Sequence, residues 1–81
     1  MRKIRILKFT AQFIVEVKWE YDVRTGDVHK IVISDYSEMT QWCQENIGKV
    51  KEDWNVCPGA LDANFVFFKL SNAMLFKLRF A

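Results

Sequence analysis

The histidine and the two cysteines, His29, Cys43 and Cys57, are the residues whose types most readily hold zinc or make a thiol nucleophile with its base. Together they would offer three zinc ligands, but the 13 residues between the cysteines match none of the close spacings that zinc knuckles use. Cys43 and His29 would make a nucleophile and its base. No third residue is marked out to orient such a pair, and nothing in the pattern brings the two together. Gly26, Gly48 and Gly59 are the only glycines, too scattered for a phosphate-cradling loop. The sequence assigns no catalytic residue, no metal ligand and no cofactor, and the chain is expected not to be an enzyme.

A second constellation lies near the end. If Val66, Phe68 and Leu70 face a core, the pleat of a strand turns Phe65, Phe67 and Lys69 to the opposite side. In a final strand, Lys77 and Arg79 likewise point away from Phe76, Leu78 and Phe80. Were these strands neighbours, two rings would stand beside three cations, the setting in which sheet surfaces stack bases and neutralise phosphates. Phenylalanines in strands more often pack under a second layer or a sister subunit. The face built from Phe65, Phe67, Lys69, Lys77 and Arg79 is therefore expected to be a partner or oligomer contact, with single-stranded nucleic-acid binding as the alternative. The fragment 65–68 also echoes the Phe-Val-x-Phe end of the first ribonucleoprotein strand of RNA-recognition motifs. Upstream, however, Asp62 and Asn64 stand at its glycine positions and Ala63 at a stacking aromatic, and an opening hairpin is the wrong element order for that fold.

The elements that must carry these residues centre on 9–21. There Phe9, Ala11, Phe13, Val15, Val17, Trp19 and Tyr21 alternate with a mostly polar set, the mark of a strand with one wet face. Ile4 and Ile6 fall on the other parity, so a bulge or a break is expected near Leu7 and Lys8. Residues 22–27 read as a hairpin loop around Gly26, and the β-branched stretch 28–33 as the returning strand. Asp35 with Glu38 fits a capping box and Gly48 a helix end, giving a helix over about 36–47 whose stripe is Tyr36, Met39, Cys43 and Ile47. Residues 54–56 form a short strand, Pro58 and Gly59 a turn, and 65–70 a strand. For 72–80 both strand and helix spacings are present; the expectation is a helical turn near 72–75 leading into a last strand.

The resulting fold class is α+β: a small antiparallel sheet, made of a long N-terminal hairpin plus one or two C-terminal strands, with one helix packed on one face. At 81 residues the chain is one domain, 1–81. It carries seven Phe, three Trp and two Tyr, more ring surface than a small monomer easily hides. A homo-oligomer, first a dimer, is expected for that reason, or a protein partner on the uncovered sheet face. Net charge is only +2, yet Arg2, Lys3, Arg5 and Lys8 at the start, and Lys69, Lys77 and Arg79 at the end, are unopposed locally by acids. Two cysteines are too few for a disulfide framework, no apolar run approaches a membrane span and no signal-peptide core follows the basic opening. A cytoplasmic protein without membrane contact is expected.

Trp42-Cys43, Gly48 and Trp54, followed by Phe65-Val66-Phe67-Phe68 and 72–80, give the second half a pattern that resembles small uncharacterised proteins of tailed phages of marine bacteria. The resemblance implies an intracellular, phage-encoded accessory protein and carries over no site residue.

Overall fold

The computed structural model describes residues 2–9, 12–20 and 28–81. Strands β1 (Arg2–Phe9) and β2 (Gln12–Trp19) pair antiparallel with Phe9 opposite Gln12. This register puts even-numbered residues of β1 on the same face as odd-numbered residues of β2, as Ile4 faces Val17 and Ile6 faces Val15. The change of parity expected as a bulge or a break is thus the reversal of the chain. The long N-terminal hairpin is 2–9 with 12–19, not 9–21 with 28–33; the loop expected at 22–27 lies outside the described residues.

Helix α1 (Val28–Asn46) takes up the segment expected to return as a strand. Isoleucine and valine cost a helix only a few tenths of a kcal/mol per residue. The place beside β2 is filled on one side by β1 and on the other by β4. Asp35, expected to cap a helix, lies inside this longer one. The helix ends as foreseen: Gly48, at φ 145°, donates its N–H to the Cys43 carbonyl at 3.1 Å.

Strands β3 (Trp54–Pro58) and β4 (Asp62–Phe67) complete a four-stranded antiparallel sheet in the order β1-β2-β4-β3. The expected short strand at 54–56 is the start of β3. The last segment is helix α2 (Leu70–Phe80), which replaces the expected turn and final strand. Phe76, Leu78 and Phe80 fit a period of two, but Ala73, Phe76 and Phe80 also fit the helical three-four spacing, and these three are the residues that α2 buries. The α+β class, an antiparallel sheet with helical cover on one face, is the architecture this chain adopts.

The core sits between the sheet and the two helices. Val15, Val17 and Trp19 from β2, Ala63, Phe65 and Phe67 from β4, and Trp54 from β3 meet Met39 and Cys43 of α1 and Ala73, Phe76 and Phe80 of α2. Phe76 is its centre: ring centroids lie 4.6 Å away at Phe65, 4.9 Å at Phe80, 5.5 Å at Phe67 and 6.0 Å at Trp42. Such tilted and edge-on pairs add to the burial of area. This is how the small chain buries Trp19, Trp54, Phe65, Phe67, Phe76 and Phe80. Among the described residues no element covers the other face of the sheet, and no helix is long and apolar enough to cross a membrane.

Candidate interaction surface

The face expected to join Phe65, Phe67, Lys69, Lys77 and Arg79 does not form. Phe65 and Phe67 are fully buried and point toward the helices, while Phe68 and Leu70, expected in the core, are exposed. The phase is set by register: Phe65 lies between Val15 and Val56, and Phe67 between Phe13 and Trp54, all on the helix side. Neither ring is accessible to a base, so the stacking surface is corrected to a packing one. Lys69 is exposed just before α2. Arg79 bonds Glu38 of α1 at 3.0 Å and lies 4.9 Å from the centroid of the Phe80 ring. Lys77 projects elsewhere, into a groove beside β1.

The two cysteines are free and far apart in character. Cys43 is buried in the core, where desolvation pushes its thiol from 9.0 up to about 12, so it stays a neutral, inert side chain. Cys57 is exposed on β3. His29 lies in the first turn of α1 and its side chain is outside the described set; among the described residues no group of three His, Cys, Asp or Glu could hold a metal.

What the surface does offer is apolar. Helix α2 presents Leu70, Met74, Leu75 and Leu78 to solvent at 47, 51, 51 and 78% exposure, on the side opposite its buried stripe. Residues 70, 74 and 78 are successive i, i+4 positions and so form a continuous ridge. Between this ridge and β1 runs an open groove of about 370 Å³, lined by Ile6, Met74, Lys77, Leu78 and Ala81. Single exposed leucines are ordinary, but a helix apolar on both sides is not what a solvated helix requires. The signal was in the sequence, since 70, 74 and 78 stand at helical spacing beside 73, 76 and 80; it is hidden when the segment is taken as a strand.

Strand β1, which borders the groove, is an edge of the sheet. Ile6 looks into the groove, and Lys8 leaves the strand on the same face one pleat further on. Lys3 and Arg5 occupy the open face of the sheet, where Arg5 meets Glu16 at 2.9 Å and Lys3 meets Glu20 at 3.3 Å. Arg2 is tied into the fold, bonding Asp35 at 2.8 Å and the Phe80 carbonyl at 3.0 Å. Among the described residues no ion pair forms at Lys8, Lys69 or Lys77. The groove thus has aliphatic walls and a basic rim.

No protein-family model, no curated protein and no solved structure matches this chain.

Proposed function

We propose that this protein is a non-enzymatic interaction module that docks another polypeptide across the outer face of α2 and the groove beside β1. The observation that carries this is the ridge of Leu70, Met74 and Leu78, with Leu75 beside it, left in water by a helix whose opposite side already fills the core. Contiguous aliphatic surface rimmed by charge is what protein contacts use, because burying it on association is favourable while the rim stays wet. The homo-oligomer expected from spare aromatics loses that argument once Phe65 and Phe67 are inside. It survives as one form of docking, with a second copy as the polypeptide. A nucleic-acid surface would keep Lys8, Lys69 and Lys77 but has none of the proposed rings.

A display selection of peptides on the purified chain, repeated on Leu78→Glu and Leu75→Glu, tests this, together with light scattering at low and high salt and the absorbance ratio that reveals bound nucleic acid. Peptides that bind the parent and weaken by about tenfold or more on either variant support docking. So does an oligomer that is indifferent to salt and that either substitution reduces to single chains. Peptides that ignore both substitutions, or a monomer that carries nucleic acid and sheds it in salt, overturn it.

A further inference from the structure

Resting on that reading, we infer that the docked polypeptide is an extended acidic segment of a partner protein, which adds a fifth strand to the edge of β1, unpaired among the described residues, and drops alternate apolar side chains into the groove against α2.

The two edges of the sheet differ. β3 has five residues and ends at Pro58, which has no N–H to offer a neighbouring strand. β1 has eight residues, no proline and an unbroken register with β2 from Arg2 to Phe9. Its outer backbone groups are a template for a further strand. The groove opens beside Ile6 on the helix side of this strand. A strand laid against β1 would point every second side chain toward Ile6, Met74 and Leu78, and the intervening ones toward the open face, where Lys3 and Arg5 stand. Pockets for alternate side chains beside a free edge are the means by which strand-adding sites select their ligands.

Charge decides the occupant. β1 itself carries Arg2, Lys3, Arg5 and Lys8 and no acid; Arg2 is engaged by Asp35, Lys3 and Arg5 stay exposed in surface pairs with Glu20 and Glu16, and Lys8 and the groove's Lys77 form no ion pair among the described residues. A second copy pairing edge to edge would set these cations against themselves, which like-charged cross-strand neighbours resist. Cations on an edge strand ordinarily guard it against aggregation. A guard of one sign turns away copies of itself and admits a strand of the other sign. The matching segment alternates aliphatic residues with Asp or Glu.

The probe is a fluorescent peptide of about eight residues, the length of β1, alternating Val or Leu with Glu. Its controls are the same peptide with Lys for Glu, two versions N-methylated at alternate sets of backbone nitrogens, and a single-stranded oligonucleotide of equal charge. Saturable binding of the acidic peptide is expected. It should weaken by about tenfold or more on Lys3→Glu/Arg5→Glu, the two positions that face the peptide's acids, while that variant takes the Lys-bearing peptide instead. One N-methylated version should lose binding and the other keep it, since only alternate N–H groups of an added strand face β1.

Absence of binding by the acidic peptide overturns the inference. Binding that depends on Leu78 but tolerates both methylated versions overturns strand addition and leaves the docking reading standing. Competition by the oligonucleotide with no effect of Leu78→Glu would make the surface a nucleic-acid site and overturn both. A dimer that excludes the peptide until Leu78→Glu dissociates it would assign the groove to a second copy, again against the inference. Circular dichroism of each variant establishes that it is folded before binding is measured.

Discussion

The indole N–H of Trp19 donates to Oδ2 of Asp35 at 3.0 Å, and the same oxygen accepts from Arg2 at 2.8 Å. One carboxylate thereby ties the end of β2 and the start of β1 to the middle of α1. Trp19 is buried, so its N–H has to find an acceptor inside the protein. Asp35→Ala would strand that donor and is expected to cost about 1–3 kcal/mol. Asp35→Asn, which keeps an acceptor oxygen, should cost less. Urea unfolding of the three proteins checks both the size and the order; an alanine variant as stable as the parent would remove Asp35 from this role.

Phe76 touches more rings than any local element requires, lying 4.6 Å from Phe65 and 4.9 Å from Phe80 between centroids. Phe76→Ala is expected to destabilise by about 3–5 kcal/mol, a large part of what so small a domain possesses. Phe76→Leu keeps most of the volume and should cost clearly less. Thermal melts followed by circular dichroism distinguish the two, and a loss under about 1 kcal/mol for alanine would mean that the core closes over the gap.

Gly48 stands at φ 145°, and a Cβ there would run into the carboxylate of Asp53, which accepts the Lys49 N–H at 2.8 Å. The Gly48 carbonyl also accepts the Trp54 indole N–H at 3.0 Å, so the turn fixes a core side chain. Gly48→Ala should destabilise by about 1–3 kcal/mol through the backbone alone. Gly48→Ala/Asp53→Ala removes the collision but not the conformational strain. The double variant is therefore expected to show less than the sum of the two single losses in a double-mutant cycle, and strict additivity would refute the collision.

Burial holds the Cys43 thiol near 12 rather than 9.0. Its folded-state value is raised, so the native state keeps a proton that the unfolded chain releases; the stability linked to it is complete below pH 9 and is lost as pH climbs toward 12. The gap in melting temperature between the parent and Cys43→Ala should accordingly shrink between pH 8.5 and 11, a window chosen around the 9.0 of an ordinary thiol. A thiol reagent at neutral pH should modify Cys57 at once and Cys43 only on unfolding. Equal rates at the two positions would contradict the buried placement.

How far these elements could be read from residues alone depended on whether one face of each is wet. In β2, Glu16 and Lys18 interrupt Val15, Val17 and Trp19, so strand and inward face are both legible. At the end of β4 and just beyond it, 65–68 is apolar on both parities and has no phase of its own. The inward choice of Phe65 and Phe67 comes from Ala63 and from pairing with β2, information that lies elsewhere in the chain. The stretch 28–33 suggests a strand by its β-branched residues, but that preference is weaker than competition for places beside β2. In 70–80 two periods coexist, and the outcome follows from Phe76 fitting among Phe65, Phe67 and Phe80. The exposed apolar ridge of α2 is illegible for the same reason, since it exists only once that segment is helical.

Arg2 reaches the carbonyl of Phe80 across 78 positions of sequence. The groove is likewise made of Ile6 from the beginning and Met74, Lys77 and Leu78 from the end. During synthesis β1 and β2 emerge early, while the wall opposite Ile6 follows about 70 residues later, the separation of Ile6 and Met74 in the chain. The groove therefore does not exist on a chain whose α2 has yet to be translated and laid down.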